Sequence, residues 1–160
     1  MRKAGLMSGA ALAAALVVPI SADAAAGPFS ALAGSWSGGG QIAMADGNTE
    51  QLRCRASYNA DGAGNNLRLS LRCASASYNF ELGSDVTYEG GQISGKWSEA
   101  SRNVSGSVSG TATPSQIQAT ASGQNFSANL SLVTRGNRQT VSIRSQGSDI
   151  AGVSLALNRN

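Results

Sequence analysis

Two cysteines, Cys54 and Cys73, stand in the same phase of two segments in which apolar and polar residues alternate. The apolar residues in phase with them are Leu52, Ala56 and Tyr58 in the first segment and Leu67, Leu69 and Leu71 in the second. A period of two predicts two β-strands that each bury one face. If residues 61–66 turn the chain back, Cys54 lies opposite Cys73 on the apolar face, whereas a shift of one residue would leave one cysteine outside. The sequence therefore predicts a β-hairpin with one cross-strand disulfide.

A redox or metal-binding role for these cysteines would require C-x-x-C spacing or additional histidine ligands. Their separation in the sequence is much longer than that, and the chain contains no histidine. We therefore expect a structural disulfide, no metal and no cofactor.

The same alternation runs through the rest of the chain as far as Leu157. Short segments rich in Gly, Asn and Asp interrupt it, at residues 46–48, 61–66, 89–91, 123–125, 135–137 and 147–149. Such residues favour turns, because Gly and Asn adopt positive φ angles. The pattern predicts an all-β fold, an antiparallel up-and-down meander of about 8–10 strands closed into a small β-barrel. Only Pro28–Leu32 is expected to form a single helical turn.

The N-terminal segment has the pattern of an export signal. A basic start, Met1–Lys3, precedes the uncharged apolar residues 4–20, and the small residues Ser21–Ala26 follow as cleavage sites. We expect residues 1–26 to be a cleaved secretory signal peptide and residues 27–160 to form one domain that is periplasmic or secreted. We also expect the cleaved protein not to span a membrane, because a spanning helix needs about 20 apolar residues and a spanning barrel needs aromatic girdles.

Charge and composition exclude several classes of function. Without Arg2, Lys3 and Asp23, twelve basic and nine acidic residues become ten and eight, so the mature net charge is only +2. Nucleic-acid binding is not expected at this charge. Because histidine is absent and no carboxylates form a recognisable acid pair, we expect no enzymatic activity. Lys96 is the only lysine of the mature chain, which is typical of a GC-rich bacterial genome.

Four arginines occupy the polar face of the cysteine hairpin: Arg53, Arg55, Arg68 and Arg72. The predicted register places Arg55 directly opposite Arg72, an unfavourable arrangement in a sheet. Two interpretations stay open. The arginines form a basic patch for an anionic partner, lipid headgroup or polysaccharide, or they keep a solvated face from pairing with other sheets.

The residues Gly34 and Trp36, at the start of the first strand, form a G-x-W sequence. This resembles the calycin group of small barrels, which includes the lipocalins. The resemblance implies a tryptophan that closes the barrel floor and packs near a basic residue of a late strand. Arg159, in phase with Leu155 and Leu157, matches that position.

A second resemblance is to the bacterial periplasmic inhibitors of secreted metalloproteases. The matching residues occur in the same order, as Leu32, Gly34, Trp36, Cys54 and Cys73. In these inhibitors the segment before the barrel enters the protease cleft, which implies that role for Gly27–Ala31.

The functional expectation is an exported, non-enzymatic barrel that binds a small apolar ligand. The aromatic residues expected to contact the ligand are Trp36, Tyr58, Tyr78, Phe80, Trp97 and Phe126. Small inward residues leave either a cavity or a flattened, well-packed core, and they are Gly38, Gly40, Ala56, Gly95, Gly106, Ala119, Ala121 and Ala128. The alternative is a protein-binding module, either a periplasmic protease inhibitor or an envelope interaction protein.

Overall fold

Ten antiparallel strands close into one barrel in the part of the chain that the structure describes. The structure is a computed structural model and describes Pro19 and residues 24–160. The strands are β1 Gly34–Met44, β2 Thr49–Ala60, β3 Asn66–Ala74, β4 Asn79–Glu89, β5 Gln92–Glu99, β6 Val104–Ala112, β7 Gln116–Gly123, β8 Phe126–Arg135, β9 Arg138–Gln146 and β10 Ile150–Arg159. Each strand pairs with its neighbours in sequence, and β10 pairs with β1. The predicted meander is confirmed, at the upper end of the predicted strand number.

The hairpin that carries both cysteines has the predicted register. Strand β2 pairs with β3 so that Cys54 faces Cys73 and Tyr58 faces Leu69. A disulfide joins the two cysteines, which confirms that prediction. The agreement follows from the period of two, because this register places the apolar residues in phase with Cys54 and Cys73 on the same inner face.

Two inward glycines show how the wall bends. A Cβ atom on Gly40 would overlap the carbonyl oxygen of Ser154 on β10, and one on Gly106 would overlap that of Ser122 on β7. Only glycine permits such a close approach of neighbouring strands at an inward position. These glycines therefore shape the wall, and the missing side chains do not by themselves leave empty space.

A short 3-10 helix, Pro28–Ala31, precedes β1. It covers the end of the barrel at which β1 begins and β10 finishes, which we call the closed end. Phe29 and Leu32 are buried there. The backbone N–H groups of Gly27 and Phe29 donate to the carbonyl oxygens of Ala63 and Gly64, at 2.7 and 3.1 Å. The helical turn expected over Pro28–Leu32 is thus present, held against the turn between β2 and β3.

The opposite end, where β1 finishes and β10 begins, is called the open end. The predicted signal peptide, residues 1–26, lies outside the described residues except for Pro19 and residues 24–26. Among the described residues, no helix has both the length and the apolar character needed to cross a membrane.

Candidate functional site

Trp36 seals the closed end together with the last strand. Its side chain is completely buried, and its Nε1 donates a hydrogen bond to the carbonyl oxygen of Leu32 at 2.8 Å. The guanidinium carbon of Arg159 lies 4.3 Å from the centre of the Trp36 ring, within the range of a cation–π contact. Arg159 also donates to the carbonyl oxygens of Ala31, at 2.7 Å, and Ala33. One arginine thereby ties β10 to both the tryptophan and the segment before β1.

A buried polar chain completes this seal. The Tyr58 hydroxyl donates to Gln139 Oε1 at 2.6 Å, and Gln139 Nε2 donates to the Thr134 hydroxyl at 3.3 Å. Burial raises the pKa of Tyr58 far above its ordinary value, so the hydroxyl remains a donor at physiological pH. Tyr58 also meets Trp36 edge to face, with ring centres 6.4 Å apart. Trp36 and Tyr58, two of the six residues predicted to contact a ligand, are thus both engaged in the seal.

The segment implied for protease binding, Gly27–Ala31, belongs to the same seal. Phe29 is completely buried and packs edge to face against Tyr88, with ring centres 6.4 Å apart. In this arrangement the segment is folded onto the barrel end. Extending it into a protease cleft would require withdrawing Phe29 from the core.

The other four predicted ligand residues lie towards the open end, in two pairs. Tyr78 and Phe80 stack with ring centres 6.3 Å apart, and Trp97 and Phe126 lie 5.5 Å apart in a tilted arrangement. Trp97 Nε1 donates to the carbonyl oxygen of Ser122 at 3.2 Å. Tyr78, Phe80 and Phe126 are only half-buried. This end therefore presents aromatic surface that the closed end hides.

Arg102 covers the first of these pairs and was not among the residues predicted from sequence. Its guanidinium carbon lies 4.8 Å from the centre of the Phe80 ring and 5.7 Å from that of Tyr78. It also approaches the carboxylate of Glu99 at 3.6 Å. Long-range stacking of this kind has no signature in the local sequence, because residues 78–80 and 102 meet only through the pairing of β4 with β5.

Glu99 organises the turn that carries Arg102. Its carboxylate accepts hydrogen bonds from the backbone N–H groups of Glu81, at 2.8 Å, Ser101 and Arg102. Burial by itself would raise the pKa of Glu99, but these hydrogen bonds outweigh it and hold the pKa below its ordinary value. The position of a carboxylate just before the turn of residues 100–103 is the sequence signal that could have identified this role.

The inner wall between the two ends is apolar and incompletely covered. Several inward side chains of this band are half-buried, and they are Leu71, Leu82, Val86, Val108, Leu130, Ile143 and Val153. Within it, one row across β5–β8 consists of the paired residues Gly95, Val108, Ala121 and Ala128. The next row towards the open end contains Trp97 and Phe126. The short side chains of the first row can accommodate an apolar group next to the aromatic rings of Trp97 and Phe126.

The four arginines of the predicted basic patch divide into two kinds on the outer face. Arg68 pairs with Asp85 at 2.8 Å, and Arg72 pairs with Glu81 at 2.7 Å. Among the described residues, no carboxylate forms an ion pair with Arg53 or Arg55. Cross-strand partners on β4 therefore neutralise half of the patch.

Across residues 24–160, no group of three or more His, Cys, Asp or Glu side chains has a metal-binding arrangement. The model of no known protein family matches the chain, and no curated protein shows significant sequence similarity to it. A functional proposal for this chain therefore rests on its fold and on the geometry of the site.

Proposed function

We propose that this chain is an exported, non-enzymatic β-barrel protein that binds a small apolar ligand within the barrel. The ligand enters at the open end and lies against the row formed by Val108, Ala121 and Ala128. The observation that carries the proposal is the contrast between a sealed end and an inner wall on which several apolar side chains, Val108 among them, remain partly exposed.

The width of the barrel supports an interior site. A barrel of about eight strands encloses just enough space for its own side chains or one small ligand, and the diameter grows with strand number. This barrel has ten strands in the described residues, and a row of its inner wall carries nothing larger than valine. Small-molecule sites are mostly apolar and concave, with a few polar groups at the rim. Arg102, which is exposed, supplies such a group at the open end.

The proposed export rests on two features. The N-terminal residues have the pattern of a secretory signal, and a Cys54–Cys73 disulfide persists in an oxidising compartment such as the periplasm or the extracellular space. The contact of Trp36 with Arg159 is also the arrangement that the calycin resemblance implies. A carrier within that architecture needs no catalytic group.

The proposal is tested by titrating the mature protein with 11-(dansylamino)undecanoic acid, whose emission rises in apolar surroundings. We expect saturable binding by the wild type. Val108→Trp places an indole ring in the space proposed for the ligand and should weaken binding at least tenfold. Ser107→Trp adds the same ring to the outward face of β6 and should leave binding unchanged. The absence of a saturable signal, or equal binding by the Val108→Trp variant with native circular dichroism, would overturn the proposal.

A further inference from the structure

A depression of about 900 Å³ lies along β1–β4. Its polar lining residues belong to the outer face, and they alternate along the strands with Cys54, Cys73 and Phe80, which also border it. Small-molecule sites typically occupy roughly 300–1,000 Å³. Its lining includes the guanidinium-bearing residues Arg53, Arg55 and Arg72, together with Gly39, Ser37 and Asn79. The register explains its shape: Arg53 lies between Gly39 on β1 and Ala74 on β3, so its neighbours have little or no side chain.

The charges in this depression are unbalanced. Arg55 stands directly opposite Arg72, and the pair costs free energy through like-charge repulsion. Glu81 compensates Arg72, whereas Arg53 and Arg55 have no carboxylate partner among the described residues. Two uncompensated guanidinium groups in a concave surface focus positive potential towards an incoming anion. Guanidinium also matches the planar geometry of a carboxylate with two parallel hydrogen bonds.

The rest of the lining is suited to hydroxyl groups. The Ser37 hydroxyl donates to Asn160 Oδ1 at 2.6 Å and can still accept a hydrogen bond. Asn79 is exposed, and its side-chain amide can both donate and accept. A ligand that combines a carboxylate with several hydroxyl groups matches both the guanidinium groups and these polar side chains.

We propose that the depression over β1–β4 binds an acidic oligosaccharide, with Arg53 and Arg55 holding a sugar carboxylate. This site is separate from the apolar site inside the barrel. The two proposals can therefore fail independently.

The probe is trigalacturonic acid, and its binding is monitored through the backbone amide NMR signals of the mature protein at low salt. We expect saturable shifts of the Gly39 and Ala74 amides and an affinity that falls as salt is added, because the contact is ionic. The double variant R53Q/R55Q should weaken binding at least tenfold. It should fold normally, since it removes an unpaired like charge. Arg144→Gln, an exposed arginine on β9, is the matched control and should bind like the wild type.

Two further ligands separate the contributions of charge and sugar. Maltotriose, a neutral trisaccharide, and sodium acetate, a free carboxylate, should each bind at least tenfold more weakly than trigalacturonic acid. Equal binding of maltotriose, equal binding of acetate, or no saturable shift with trigalacturonic acid would each overturn the proposal. Undiminished trigalacturonate binding by R53Q/R55Q would also overturn it. The dansyl titration should be unchanged in that double variant.

Discussion

The two ends of this barrel are built from similar residues but use them differently. At the closed end, Trp36 and Tyr58 are buried, and both direct their polar atoms to internal partners. At the open end, Tyr78 and Phe80 are half-buried and are covered by a single arginine, Arg102. The comparison shows that an inward aromatic residue can either complete a core or line an accessible wall. The difference lies in whether neighbouring segments satisfy and enclose it.

The largest expected difference between the two ends is in core packing. Phe29→Ala removes a completely buried ring at the closed end and should lower the free energy of unfolding by about 3–5 kcal/mol. Phe126→Ala removes a half-buried ring at the open end and should lower it by roughly half as much, because less apolar area returns to water. Urea unfolding of both variants measures this. Equal losses would contradict the assignment of a sealed end and an open end.

The disulfide should contribute nearly as much as the closed-end packing. Replacing both Cys54 and Cys73 with alanine opens a loop whose ends are 19 residues apart in sequence. The chain-entropy account predicts a loss of about 3 kcal/mol. Thermal and urea unfolding of the variant, compared with the oxidised wild type, measures this loss, and the reduced wild type is the control. A loss on substitution with no loss on reduction would contradict the cross-link as the source of the stability.

The buried hydroxyl at the closed end should have a moderate effect. Tyr58→Phe leaves the Gln139 oxygen without its donor and should cost about 1–3 kcal/mol. Tyr78→Phe is the matched control, because within the described residues the Tyr78 hydroxyl has no hydrogen-bond partner in the protein, and it should change stability by less than about 0.5 kcal/mol. Comparable losses for the two variants would remove the distinction between the ends.

The smallest effect concerns acid stability at the open end. The pKa of Glu99 is lower in the folded state than its ordinary value of 4.5. A lowered pKa stabilises the fold above that ordinary value, and the contribution disappears as pH falls through the folded-state pKa. The stability difference between the wild type and Glu99→Gln should therefore shrink as pH decreases from 6 to 3. Unfolding curves measured across this range should show it, and a difference that grows towards pH 3 would contradict the hydrogen-bonding role of Glu99.

The fold was largely predictable because alternation carries both the strand pattern and the register. The Cys54–Cys73 hairpin follows from the two cysteines sharing the apolar phase. The closing contact between β1 and β10 was predictable only as far as Trp36 and Arg159, which the calycin resemblance singled out.

The site was less predictable because alternation gives the face of a residue and not its height along the barrel. Trp36 and Trp97 both point inward, yet one lies at the closed end and the other lies towards the open end. Similarly, Arg53 and Arg68 share the outer face of one hairpin, but only Arg68 meets a carboxylate. Height and pairing depend on how successive strands are offset around the whole barrel, which no single segment encodes.

The position of the bound apolar probe decides whether the barrel interior holds a ligand. The measurement uses methyl-labelled protein saturated with 11-(dansylamino)undecanoic acid. It records nuclear Overhauser effects between the protein methyl groups and the alkyl chain of the probe. We expect contacts with the methyl groups of Val108, Leu130 and Ile143 on the inner wall. Contacts confined to the outward-facing Val133, or no contacts with any methyl group, would contradict a ligand site inside the barrel.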